Sequence, residues 1–108
     1  MPIQESESAG VEALPKSDED LAREANAENL DAFEELVLRR RSGLVRFLAG
    51  FTQSTSDAED LTQETFLRAY RRLDLYDPEK PFLPWLYVIA RRLALNHFRK
   101  RARQRETN

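Results

Sequence analysis

Between Phe82 and Arg105 the chain reads FLPWLYVIARRLALNHFRKRARQR, aromatic and apolar at its start and densely basic at its end. From position 91 onward it carries Arg91, Arg92, Arg99, Lys100, Arg101, Arg103 and Arg105, with no acid among them. Cationic groups strung along one helix are donors for a polyanion. Tyr76, Phe82, Trp85 and Tyr87 lie beside this run, and flat rings suit a polyanion whose bases are exposed for stacking. Asp57, Glu59, Asp60 and Glu64 form the other dense group of chemically active side chains. They fall where a helix begins, and acids there complement the helix dipole without any catalytic role. His97 is the only histidine, cysteine is absent, and no glycine-rich phosphate loop occurs. These residues therefore make no nucleophilic triad, no histidine-rich metal site and no thiolate zinc site. No enzyme activity and no cofactor are expected.

The totals set the frame. A chain of 108 residues with 41% apolar and 33% charged residues suits one small domain of helices with solvated faces. No apolar run is long enough to cross a membrane, and the acidic start lacks the basic and apolar parts of a signal peptide. A cytoplasmic protein, monomeric when free, is expected. The net charge of −2 conceals an asymmetry. Residues 1–36 hold eleven acids against Lys16 and Arg23, a net of −9, and the remainder carries a net of +7. That distribution favours nucleic acid where the net charge alone would argue against it.

Residues 1–17 are polar, acidic and aperiodic, with Pro2, Gly10 and Pro15 as breakers, and are expected to be a disordered acidic tail. Asp18 to Ala27 suits a short helix capped by Ser17 or Asp18, and Asn26 and Asn29 suggest a break after it. Phe33, Leu36, Val37, Leu44, Phe47, Leu48 and Phe51 then share one helical stripe. Gly43 leaves open whether that segment is one helix or two. Gly50 to Thr55 reads as a loop, and Ser56 with Glu59 fits a capping box. The helix that follows runs to about Leu73, burying Ala58, Leu61, Thr65, Phe66, Ala69, Tyr70 and Leu73. Its other face is polar, with Asp60, Gln63, Glu64, Arg68 and Arg71. Asp74 to Pro81 is a loop, since Asp77-Pro78 and Lys80-Pro81 disfavour helix at the residue before each proline. Pro84 fits the first turn of a final helix, anchored by Trp85, Leu86, Ile89, Ala90 and Leu93. No strand pattern occurs. The expected fold is all-α, a compact bundle of three to four helices.

Three blocks in order carry a family resemblance. They are DAEDLTQETFLRAY from Asp57, FLPWLYVIA from Phe82, and the basic end of the last helix, with DAFEELVLRRR upstream. Together they resemble region 2 of the sigma-70 family, of the extracytoplasmic-function type. The resemblance covers residues 18–105, leaving 106–108 as a C-terminal end, and implies a sigma-70 region 2-like helical domain. It implies that Asp57, Asp60, Gln63, Glu64 and Arg68 face the clamp helices of the RNA polymerase β′ subunit. It also implies that Leu75 to Pro81 forms the loop holding an extruded base of the non-template strand of the promoter −10 element. Lys80, Phe82, Trp85 and Tyr87 would lie there, with Arg91, Arg92, Asn96, Arg99, Lys100 and Arg103 contacting phosphates and base edges. Three positions depart from the family pattern. Arg92 stands where Asn is frequent, Asn96 where Asp is frequent, and Pro84 where Thr or Ser is frequent. The first two add positive charge to the DNA face. The family's second domain, which reads the −35 element, would follow Asn108, so the chain alone is expected to be a poor initiation factor.

Two other readings fit the same residues. A general nucleic-acid-binding helical domain would use the basic helix identically and leave the Asp57–Arg68 surface idle. A protein-interaction module occupying an anti-sigma factor would show no DNA dependence on Arg91 to Arg103.

Overall fold

The computed structural model describes residues 15–107, and among them the chain forms four α-helices and one 3₁₀ turn, with no strand. The helices are α1 (Asp18–Asn26), α2 (Leu30–Thr52), α3 (Thr55–Arg71) and α4 (Phe82–Thr107), with the 3₁₀ turn at Leu73–Leu75. Residues 1–14 of the expected acidic tail, and Asn108, lie outside the described residues.

Local chemistry sets each start. Ser17 accepts a hydrogen bond from the Asp20 N–H at 3.0 Å, Asn29 from Ala32 at 3.4 Å, and Ser54 from Asp57 at 3.2 Å. Each satisfies an amide that the first helical turn leaves without a partner. The cap of α3 is thus Ser54, two residues before the expected Ser56. Gln53 adopts the left-handed conformation (φ 56°) and ends α2 at once, so the loop expected over Gly50 to Thr55 shrinks to two residues. Glu28 turns the chain between α1 and α2 in the same way (φ 72°).

α2 lies at the centre, packed on α1, α3 and α4. Its stripe buries Ala32, Phe33, Leu36, Leu44 and Leu48. From α4 come Phe82, Leu86, Ile89, Ala90, Leu93 and Ala94, spaced as one helical face. α3 contributes Ala58, Leu61, Thr62, Thr65, Phe66 and Ala69. The buried Thr62 and Thr65 hydroxyls donate to the carbonyls of Ala58 and Leu61, which removes the cost of burying them. Tyr70, expected in this face, is 44% exposed. It falls one step outside the buried stripe and sets its ring edge against Phe33 at 5.0 Å.

Gly43 does not split α2, which runs through it. A Cβ there would sit 3.1 Å from the Tyr87 hydroxyl, so the glycine admits that side chain. Gly43→Leu is therefore expected to displace Tyr87 and cost about 1–3 kcal/mol. Urea denaturation checks this, and an unchanged midpoint would show that Tyr87 moves aside freely.

Candidate nucleic-acid interface

The loop between α3 and α4 is built to hold its shape. Asp77-Pro78-Glu79-Lys80 forms a turn in which the Lys80 N–H donates to the Asp77 carbonyl at 2.9 Å, with proline at the position turns prefer. The Asp77 carboxylate accepts from the Glu79 N–H at 3.0 Å, a local bond typical of aspartate in turns. Tyr76 is buried and its hydroxyl donates to the Lys80 carbonyl. Burial, reinforced by the nearby Glu19 carboxylate, raises the Tyr76 pKa, which keeps the phenol protonated and able to donate.

This loop and the first turns of α4 enclose a groove of about 490 Å³, lined by Leu75, Tyr76, Asp77, Lys80, Pro81, Pro84, Trp85 and Val88. Its apolar walls with Lys80 and Asp77 at the rim could take a flat heteroaromatic ring. Trp85 is half-buried, its ring 5.1 Å from Tyr76 and 5.7 Å from Phe82. Of the four residues the resemblance assigns to this loop, Lys80 and Trp85 line the groove. Phe82 and Tyr87 do not. Phe82 is fully buried and presents no face to a ligand, because it sits under Tyr76 and Trp85 as their support. Tyr87 turns to the other side and packs on Phe47 at 4.9 Å. Leu75 and Val88, 73% and 48% exposed, are wall residues the sequence reading passed over. Val88 lies one turn beyond Trp85, a spacing that could have identified it.

Beyond the groove, α4 outruns the core. Ala94 is its last buried residue, and positions 95–106 are all partly or wholly exposed. Arg92, Asn96, Arg99 and Arg103 recur at i, i+4, i+7 and i+11, one stripe of a helix, with Arg91 and Lys100 flanking it. All six are exposed. Arg99 donates to the Asn96 side chain at 3.2 Å, which orders two neighbouring donors. The opposite stripe is Ala90, Ala94, His97 and Arg101, and it faces the bundle. Arg101 meets the Asp57 carboxylate at 3.1 Å, and His97 lies 3.5 Å from it. Asp57, expected toward the polymerase, is instead joined to α4. Such partly exposed pairs contribute at most about 1 kcal/mol, so the rotation of α4, and with it the outward direction of the Arg92–Arg103 stripe, is set by the buried face of Phe82, Leu86, Ile89, Ala90, Leu93 and Ala94.

The exposed side of α3 forms a separate surface. Asp60, Gln63, Glu64 and Arg68 line one shallow polar depression together with Leu67 and Arg71, and Arg68 reaches Glu64 at 3.7 Å. Beside it runs an apolar groove of about 520 Å³ between α2 and α3, lined by Leu30, Phe33, Val37, Phe66, Leu67 and Tyr70 with Gln63 at its edge. Leu30, Leu67 and Tyr70 are each more than 40% exposed. A polar stripe with apolar ground beside it is the composition of a protein–protein interface.

Comparison with known proteins places these surfaces in context. The family model for sigma-70 region 2 matches residues 36–104. The RNA polymerase sigma factor NccH of Alcaligenes xylosoxydans xylosoxydans is 38% identical over 92 residues, covering 85% of this chain and 47% of NccH. Two solved structures are similar. An engineered region 2 of sigmaE in complex with GTAAAA superposes with a TM-score of 0.77 at 32% identity, covering 86% of this chain and 95% of that one. CnrH in complex with the cytosolic domain of CnrY has a TM-score of 0.71 at 33% identity, covering 75% of this chain and 53% of that one. The chain spans about half the length of the curated relatives it matches.

Proposed function

The chain belongs to the sigma-70 region 2 family, and from that premise we propose that it docks on the RNA polymerase core through α3 and holds the opened promoter −10 element with α4 and its preceding loop. It works in transcription initiation, in the cytoplasm, by directing an enzyme rather than by catalysis of its own. Residues 18–105 form the working domain.

The observation that carries this reading is the alignment of two devices on one helix. The groove at Trp85 and the stripe of Arg92, Asn96, Arg99 and Arg103 lie on α4. A strand whose backbone follows the stripe can therefore place an unstacked base in the groove. Unstacking costs a few kcal/mol, which the groove's apolar walls and the Trp85 ring offset. Arginine suits phosphate and guanine edges, and asparagine suits adenine. The similar sigmaE region 2, solved in complex with GTAAAA, supports DNA as the ligand.

The α3 surface supports the polymerase partner. Asp60, Gln63, Glu64 and Arg68 supply directional polar contacts, and the neighbouring apolar groove supplies buried area. An anti-sigma polypeptide is a competing occupant of such a surface, and the similar CnrH was solved with the cytosolic domain of CnrY. Binding to isolated β′ clamp helices tests the assignment. Asp60→Ala/Gln63→Ala is expected to weaken it at least about tenfold with an unchanged circular dichroism spectrum. Undiminished binding by the double variant would remove these residues from the interface.

A further inference from the structure

Helix α4 begins without a cap of its own. Pro81 precedes it and offers neither a side-chain acceptor nor an N–H, and the first amide of the helix would be left without a partner. That amide is satisfied from the far end of the chain. The Phe82 N–H donates to the Glu19 carboxylate at 2.7 Å, across 63 positions, in a part-buried setting. The negative charge also faces the positive end of the α4 dipole.

Glu19 is itself held in place. Its neighbour Asp18 is buried, and its two carboxylate oxygens bind Arg39 at 3.1 Å and Arg40 at 2.8 Å. α1 is thus fastened to α2 by one acid while the next acid reaches α4. The residues fixed by that reach are those around the groove. Phe82 carries Trp85 and Tyr76, and Glu19 lies close enough to Tyr76 to influence its titration.

We propose that Glu19 is a positioning residue for base selection, capping α4 from across the chain and so fixing the Tyr76–Trp85 wall of the groove. It touches no DNA. The inference rests on the reading that the groove takes an unstacked base. It places a determinant of specificity in α1, outside residues 36–104 that match the family model.

The test separates reach from charge. Glu19→Gln keeps the length and an acceptor oxygen, whereas Glu19→Asp keeps the charge but is one methylene short of the Phe82 amide. Both variants are titrated against single-stranded hexamers that differ from the best-bound wild-type hexamer by one base. Wild type and Glu19→Gln are expected to share a preference of about tenfold or more at one position. Glu19→Asp is expected to reduce it to about threefold or less, with the salt dependence of binding unchanged because the α4 stripe is untouched. Wild-type preference in a folded Glu19→Asp variant would overturn the inference. Loss of preference in Glu19→Gln with retention in Glu19→Asp would overturn it too, since charge rather than the reach of the cap would then matter. A wild-type protein without preference at any position would overturn the groove reading itself, and the inference with it.

Discussion

Phe82→Ala is expected to cost about 3–5 kcal/mol in stability and to abolish base preference in whatever fraction still folds. The ring has no solvent exposure, lies 5.4 Å from Tyr76 and 5.7 Å from Trp85, and joins the core beneath both. Removing it leaves a cavity under the groove wall, and the loss comes from both transfer and unfilled volume. Against a total of about 5–15 kcal/mol for a domain of this size, that is a severe change. Guanidinium denaturation measures it. Trp85→Ala provides the contrast, because Trp85 is half-buried and faces the groove. It is expected to lose more in single-strand affinity than in stability. Equal stability losses for the two variants would contradict the division between support and contact surface.

The second large effect concerns charge alone. Arg92→Ala/Arg99→Ala removes two exposed residues of the α4 stripe, and stability is expected to stay within about 1 kcal/mol. Affinity for single-stranded DNA is expected to fall about 10- to 100-fold at moderate salt. The slope of log affinity against log salt is expected to drop by about 1.4, because each neutralised phosphate of a single strand contributes about 0.7. Fluorescence anisotropy at several salt concentrations reads both quantities. Arg101→Ala is the control on the opposite face, where Asp57 already holds the guanidinium. An equal loss for Arg101→Ala would mean that DNA wraps the helix rather than following one side of it.

Much of this architecture is written locally. The spacing of Phe33, Leu36, Leu44 and Leu48 announces α2, and the recurrence of Arg92, Asn96, Arg99 and Arg103 gives the outward stripe of α4. The polar residues Asp60, Gln63, Glu64 and Arg68 fall together as their helical spacing requires. What stayed hidden depends on partners far along the chain. Gly43 looks like a helix breaker until Tyr87 is found above it. Asp18 and Glu19 look like acids complementing the dipole of α1, but their partners lie 21, 22 and 63 positions away. Asp57 belongs by sequence to the polar face of α3, yet Arg101 and His97 claim it 40 or more positions later. Phe82 and Trp85 are both aromatic residues at a helix start, and periodicity cannot rank their burial. Only the fold of the Tyr76–Lys80 loop over them does so.

The central claim is that α4 and its loop read one unstacked base on a single strand. The most direct measurement is selection of bound sequences from a pool of random single-stranded hexamers, with the duplex forms of the same pool as competitor. The account predicts enrichment of one sequence family with a dominant preference at a single position, undiminished by the duplex. Uniform recovery of all hexamers, or equal competition by duplex, would contradict it and leave a helical domain that binds nucleic acid by charge alone.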